Sequence, residues 1–167
     1  MVAGLRDRFD PAAKLGMPAH ITLAFPFMPP ETVSPAVLQR LQGIANRFTT
    51  FDYSLAGVGR FPRAAYLEPV PAAPFIALTQ AVFQAFPQHP PNTGSSNTVV
   101  PHVTVANGSA DAADAVQTEL LGALGRHGSV RATCRSLTLF ENGSGFWRPM
   151  HVFALAGVGE KALAEQK

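Results

Sequence analysis

The sequence contains very little cysteine and little charge. Cys134 is the one cysteine among 167 residues, which excludes an intramolecular disulfide, a cysteine zinc cage and a CxxC redox pair. Charged residues make up 14% of the chain and leave a formal net charge of +2, so no broad polyanion-binding surface is indicated. The hydrophobic share of 47% excludes a disordered chain and is enough to bury a sizeable core.

Long apolar runs are also missing. Proline, glycine or a charged residue interrupts each run before it approaches the roughly 18 residues of a membrane span. Arg6, Asp7, Arg8 and Asp10 stand where a secretory signal would need an apolar stretch. We therefore expect a cytoplasmic protein that folds as a single domain over residues 1–167 and does not associate with a membrane.

Turn-forming residues are frequent and spread along the chain, which predicts many short elements. Helices are predicted to begin at Asp10-Pro11, at Ser34-Pro35, near Pro74 and at Ser109, the last ending near Leu124. Strands are predicted at Ala19–Phe25, Phe51–Gly57, Ala64–Glu68, Val99–Ala106, Val130–Phe140 and Phe146–Ala156. Asn142-Gly143-Ser144-Gly145 is a hairpin signal between the last two strands. Pro87–Asn97 has turn chemistry throughout and is predicted to be a loop.

The order of elements repeats itself. A histidine-containing strand, a helix and two strands are predicted once from His20 and again from His102, about half a chain length later. The two histidine segments are PAHITLA at 18–24 and VPHVTVA at 100–106, and both contain the pattern His-apolar-Thr-apolar-Ala. This repetition predicts two lobes, roughly 10–86 and 99–157.

The two segments predict a shared site. Residues i and i+2 of a strand lie on the same face, so His20 is expected beside Thr22 and His102 beside Thr104, with the intervening apolar side chains in the core. Pseudo-twofold packing of the lobes would then place two imidazoles and two hydroxyls in one cleft. A single histidine on a strand is more simply explained as a buried core residue, but the matched pair is not.

Such a set of side chains suits a phosphodiester. One imidazole can act as general base on the attacking hydroxyl or water, and the other as general acid for the leaving oxygen. Threonine hydroxyls can donate hydrogen bonds to the non-bridging phosphate oxygens. His89, His127 and His151 show no metal-ligand spacing, and no carboxylate cluster lies near either motif, so we expect neither a metal nor a cofactor.

The two motifs resemble the paired H-x-[ST]-x signatures of the 2H phosphoesterase superfamily. The spacing, the helix after each motif and the Tyr66-Leu67 strand before Pro69 are similar to its 2′-5′ RNA ligase-like branch, over about Asp10 to Gly157. The resemblance implies an α+β fold with two pseudo-symmetric lobes of antiparallel sheet, outer helices and a central cleft. It also implies that the two histidines are the catalytic pair and that the two threonines bind the phosphate.

The activity implied is that of a metal-independent phosphoesterase. Such an enzyme would hydrolyse, or reversibly ligate, 2′,3′-cyclic phosphate or 2′-5′ phosphodiester bonds in RNA or small nucleotides. A non-catalytic module of the same fold that binds a nucleotide or an RNA end is the alternative. Tyr66, Trp147 and Arg148 are further candidates, the aromatic rings for stacking on a base and the arginine for meeting phosphate, although ordinary packing also accounts for them. Arg60, Arg63, Arg131 and Arg135 could attract RNA, but the small net charge favours a solvated strand surface.

The family usually has a strand ahead of the helix that leads into the first motif, and here only Met1 to Phe9 stand there. A misassigned start, a first lobe short of one strand, and another segment in its place all stay open. An unfilled position would leave an open sheet edge that invites a second chain. Both a monomer and a homodimer are therefore compatible with the sequence.

Overall fold

The computed structural model describes residues 2–89 and 99–157. In these two ranges the helices are α1 (Val2–Phe9), α2 (Pro11–Lys14), α3 (Pro35–Ala45), α4 (Ala73–Ala85) and α5 (Ala110–His127). The strands are β1 (Phe51–Phe61), β2 (Ala64–Val70), β3 (Val103–Asn107), β4 (Val130–Cys134), β5 (Ser136–Glu141) and β6 (Arg148–Ala154). The predicted loop Pro87–Asn97 lies outside the described residues from position 90 onward.

Side-chain caps begin three of the helices where the sequence predicts them. Asp10 accepts a hydrogen bond from the N–H of Ala12, and Ser34 and Ser109 cap α3 and α5 in the same way. Proline follows the cap directly in α2 and α3, where its missing N–H removes no helical hydrogen bond. The predicted starts at Asp10, Ser34 and Ser109 are confirmed, and α5 continues beyond Leu124 to His127.

The larger sheet is antiparallel, with strand order β3-β2-β1-β4. β1 and β2 form a hairpin, β3 pairs along β2, and β4 pairs along β1. The sheet therefore combines two strands from the stretch 10–86 with two from the stretch 99–157. α5 covers this sheet, where Leu120 packs in one core cluster with Leu67 of β2 and Val105 of β3.

The smaller sheet consists of β5 and β6, which are antiparallel across the turn closed by Gly145 N–H and the Asn142 carbonyl. A second core cluster joins Phe153 of β6 to Ile44 of α3 and to Val82 of α4. Helices packed on antiparallel sheets confirm the α+β class. The predicted strand Val130–Phe140 divides at Arg135, because β4 belongs to the larger sheet and β5 to the smaller one.

The predicted strand Ala19–Phe25 is wrong. Across the described residues this segment pairs with neither sheet. Its apolar side chains also divide between two cores, since Ile21 packs against the first cluster and Leu23 against the second. Alternation alone cannot hold an extended chain without a partner strand, so the segment crosses between the cores as irregular structure.

Two further expectations concern the strand expected before the first motif and the membrane-spanning helices. Residues 2–9, which stand where the family has a strand, form α1, and this helix packs against β3. No helix in the described part of the chain is long and apolar enough to cross a membrane.

Candidate active site

His102 lies immediately before β3 and is held by its own backbone. Its Nδ1 is 2.6 Å from the carbonyl oxygen of Val100. A carbonyl can only accept, so Nδ1 carries the proton and donates it, which leaves Nε2 as the basic nitrogen of the neutral ring. The next residue, Val103, is 3% exposed in the core and anchors this arrangement.

His20 repeats this hydrogen bond. Its Nδ1 lies 2.8 Å from the carbonyl oxygen of Pro18, again two residues earlier. The two motifs thus fix the same tautomer by the same local contact, even though only the second is followed directly by a strand. Both rings are half-buried. Each histidine can therefore exchange a proton through Nε2.

The surroundings of His20 favour its neutral form. Burial is the main cause that lowers its pKa from the ordinary 6.5, and the positive charges of Arg6 and His102 lower it further. The hydrogen bond to Pro18 and the carboxylate of Asp10 act in the opposite direction. The effect of His102 is the smallest of these causes.

Two aromatic rings pack against His102. They belong to Phe61 and Tyr66, whose ring centroids lie 5.2 Å and 4.9 Å from that of His102. The two aromatic rings are 4.6 Å apart, and Tyr66 is only 6% exposed. Burial, and then the negative charge of Glu68, raise the pKa of the Tyr66 hydroxyl. The sequence does not point to Phe61. The β1–β2 register brings it beside Tyr66, and this register is not visible in the order of residues along the chain.

Gly59 leaves room for the Tyr66 ring. It lies opposite Tyr66 in the β1–β2 pairing, and a Cβ at position 59 would overlap the ring carbons and the hydroxyl oxygen of Tyr66. A residue with any side chain here would displace the Tyr66 ring.

The two predicted threonines have different surroundings. Thr104 is half-buried in β3, directly opposite Tyr66 in the β2–β3 pairing. Thr22 is exposed on the irregular segment after His20. Their roles toward phosphate stay predictions.

Trp147 directly precedes β6, which begins at Arg148. The Trp147 ring meets that of Phe25 edge-on, with centroids 6.1 Å apart, and its backbone N–H donates to the Leu15 carbonyl at 2.8 Å. This bond ties the β5–β6 turn to the segment that leads into His20. Arg148 forms an ion pair of 3.3 Å with Glu141, and its side chain is 62% exposed.

Two of the four arginines considered for RNA binding have partners within the protein. Arg60 forms a 2.9 Å ion pair with Asp114, and Arg63 Nε–H donates to the Gly108 carbonyl at 2.6 Å. Over residues 2–89 and 99–157, no group of three or more His, Cys, Asp or Glu side chains is arranged to hold a metal ion.

A family model described as the 2′-5′ RNA ligase superfamily matches residues 2–145. The chain belongs to the 2′-5′ RNA ligase superfamily. This confirms the resemblance that the paired His-x-Thr motifs carry. The superfamily match also includes α1, which the sequence resemblance left out.

A similar protein comes from Bacillus cytotoxicus and bears the name "Putative phosphoesterase". It is 41% identical to the present chain over 58 residues, which are 35% of this chain and 33% of the relative. The alignment thus spans about a third of the relative's length.

Proposed function

We propose that this member of the 2′-5′ RNA ligase superfamily is a metal-independent phosphoesterase. Its substrates would carry a 2′,3′-cyclic phosphate or a 2′-5′ phosphodiester bond, in RNA or in small nucleotides, and the same chemistry run in reverse would ligate them. The observation that carries the proposal is the matched pair His20 and His102, each with Nδ1 bonded to the carbonyl two residues earlier. The superfamily and the name of the Bacillus relative support it.

In the proposed hydrolysis one histidine begins neutral and the other protonated. The neutral Nε2 takes a proton from water as the water oxygen forms its bond to phosphorus. The protonated Nε2 of the other ring gives its proton to the ribose oxygen as the bond from phosphorus to that oxygen breaks. Proton count and charge balance over the step, and the two rings have exchanged protonation states at its end.

The other candidate residues would bind the substrate around this pair. Thr22 and Thr104 would donate their hydroxyl protons to the non-bridging oxygens as negative charge builds there. Trp147 would stack on a base. Arg148 would bind phosphate once its ion pair with Glu141 has opened. Tyr66 would act on the reaction mainly through His102, because its ring is covered by Phe61 and His102.

Turnover by single-histidine variants tests the proposal. The full chain is incubated in EDTA with a panel of 2′,3′-cyclic nucleotides and 2′-5′ linked dinucleotides, as wild type, His20→Ala and His102→Ala. We expect wild-type turnover with a bell-shaped pH profile, and a loss of about 10²-fold or more in each variant, the usual contribution of a general acid or base. His127→Ala is the matched control, because His127 is exposed at the end of α5.

One outcome would contradict the mechanism and another the enzymatic activity. If each single variant kept most of the wild-type activity, the two-histidine mechanism would be wrong. If folded wild type bound a cyclic nucleotide in a titration but turned over none of the panel, the protein would instead be a nucleotide-binding or RNA-end-binding module.

A further inference from the structure

Glu68 lies on the face of the larger sheet that carries the candidate active site. It follows Tyr66 by two residues in β2, and alternate residues of a strand project from the same face. Leu67, which stands between them, points the other way into the first core cluster, where α5 covers the sheet. Glu68 therefore belongs to the sheet face opposite α5, together with Tyr66.

The strand register places Glu68 in one row with His102. Leu67 and Val103 are the last pair between β2 and β3, so the next pair in this register is Glu68 and His102, one residue beyond the end of β3. On its other side Glu68 pairs with Gly57 of β1. Since neighbouring strands are roughly 4.8 Å apart, the backbones of His102 and Gly57 are separated by about 10 Å across this row.

The side chain of Glu68 extends over β1. A Cβ placed at Gly57 would lie 2.5 Å from Glu68 Oε2 and 3.3 Å from Glu68 Cδ, so the carboxylate occupies the space that the missing side chain leaves. The charge of Glu68 also contributes, after burial, to the raised pKa of the Tyr66 hydroxyl. The carboxylate therefore lies two strands away from the backbone of His102, on the same sheet face.

The Glu68 carboxylate has acceptor capacity that the described residues leave unused. Within residues 2–89 and 99–157 it takes part in no ion pair and in no side-chain hydrogen bond. Glu68 is half-buried, yet every buried polar side-chain atom of these two ranges has a partner, so the Glu68 oxygens are reached by solvent. An ionised carboxylate can only accept hydrogen bonds, and these oxygens are open to a donor on a ligand.

The donors that fit a carboxylate are found on one nucleobase. Phosphate oxygens only accept and carry the same charge as the carboxylate, and a ribose hydroxyl offers a single donor. Guanine presents two neighbouring donors, N1–H and N2–H, which match the two oxygens of one carboxylate. Adenine and cytosine place a ring-nitrogen acceptor beside the amino group, and uracil places its one ring N–H between two carbonyls.

We propose that Glu68 is a specificity-determining residue that selects guanine by accepting hydrogen bonds from N1–H and N2–H of the base. The identity of the ligand, a guanine nucleotide, rests on the proposed function. With the phosphate at His102, the ribose and the base extend across β2 to the carboxylate. The contact is equally strong before and during the reaction, so it acts on KM and Kd and leaves kcat unchanged.

Binding of nucleotides without a phosphodiester bond tests the role of Glu68 independently of turnover. The full chain, as wild type and as Glu68→Gln, is titrated calorimetrically with the 2′-monophosphates of guanosine, adenosine, cytidine and uridine. We expect wild type to bind the guanosine nucleotide about 10-fold or more tightly than the other three, a usual discrimination for a bidentate contact to a base. In Glu68→Gln an amide N–H faces a guanine N–H, so this preference should disappear.

Glu119→Gln is the matched control. Glu119 is exposed on α5, which covers the opposite face of the sheet, so its variant loses the same charge away from the ligand. We expect it to keep the wild-type preference for guanine. An unchanged preference in Glu68→Gln, an equal loss with all four bases, or a wild type that binds none of the four or does not prefer guanine would overturn the proposal.

Turnover separates a failure at Glu68 from a failure of the proposed function. With 2′,3′-cyclic GMP we expect KM to rise about 10-fold or more in Glu68→Gln while kcat stays the same. If wild type hydrolyses all four cyclic nucleotides with equal KM, the phosphoesterase stands and the role of Glu68 is overturned. If wild type hydrolyses none of them, the proposed function fails, while the binding titration still decides whether Glu68 selects guanine.

Discussion

At the scale of single residues, the position of His102 depends on groups that carry no charge. Its Nδ1 is hydrogen-bonded to a backbone carbonyl, and its ring packs against the rings of Phe61 and Tyr66. Tyr66 in turn occupies the space that Gly59 leaves open. The orientation of a catalytic candidate thus depends on a glycine in a neighbouring strand.

Gly59→Ala should therefore affect both stability and activity. The new methyl group overlaps the Tyr66 ring, and such overpacking typically costs about 1–3 kcal/mol of unfolding free energy. We expect that loss in urea denaturation, together with a reduced kcat, because a displaced Tyr66 ring disturbs its contact with His102.

Gly57→Ala in the same strand is the control for this effect. A Cβ at position 57 meets the side chain of Glu68, whose flexible carboxylate can move away. We expect a smaller loss of stability and an unchanged kcat. Equal losses of kcat in the two variants would show that the Tyr66 ring does not hold His102.

At the scale of elements, α5 stabilises the larger sheet through one face. Leu120 is fully buried against that sheet, whereas its neighbour Leu121 is 55% exposed. The two leucines differ in environment but not in chemistry or helix propensity, so they compare the packing contribution directly.

Leu120→Ala should destabilise the protein by about 2–5 kcal/mol, because it removes buried methyl groups and leaves a cavity. Leu121→Ala should change the unfolding free energy by no more than about 0.5 kcal/mol. Urea denaturation of the two variants measures the difference. Similar losses in both would mean that α5 does not pack on the sheet as described.

Elements that depend on local chemistry were predictable from the sequence, and those that depend on distant partners were not. Asp10, Ser34 and Ser109 cap helices through hydrogen bonds within three residues, so their neighbours in sequence suffice. The segment Ala19–Phe25 alternates like a strand, but a strand also needs a partner, and alternation does not reveal one. The break at Arg135 is invisible for the same reason, since only the pairing of β4 and β5 to different sheets produces it.

The candidate site shows the same distinction between features set by local sequence and features set by distant partners. His20, His102 and their threonines became candidates because the motif repeats, and the repeated Nδ1 contact is local as well. Phe61 and Gly59 depend on strand register. Arg6 and Asp10 have the spacing of a solvated i,i+4 pair, and only tertiary packing shows that both are buried.

At the scale of the whole molecule, the ionisation of His20 makes folding depend on pH. The folded state lowers the pKa of His20, while in the unfolded chain the ring titrates near the ordinary value of 6.5. As pH falls through this value, the unfolded chain binds the proton first, so stability falls on acidification and is regained as pH rises. Above that value both states are neutral and His20 contributes no pH dependence.

The unfolding free energy, followed by urea denaturation from about pH 8 to about pH 5, should therefore fall more steeply in wild type than in His20→Gln. His127→Gln, which changes an exposed histidine, should follow the wild-type curve. Parallel curves for wild type and His20→Gln would show that His20 has the same proton affinity in the folded and unfolded chains.

The pairing of β3 with β2 and of β4 with β1 also sets an order of events during synthesis. On the side of β1 away from β2, residues 51–55 pair with residues 130–134, and β2 pairs with β3 on its other side, so both edges of the first hairpin stay open until those later strands are synthesised. Such long-range closure is slow compared with local helix formation. Phe61 and Tyr66 are translated before His102, so the hairpin that carries them is synthesised ahead of the imidazole ring that they contact.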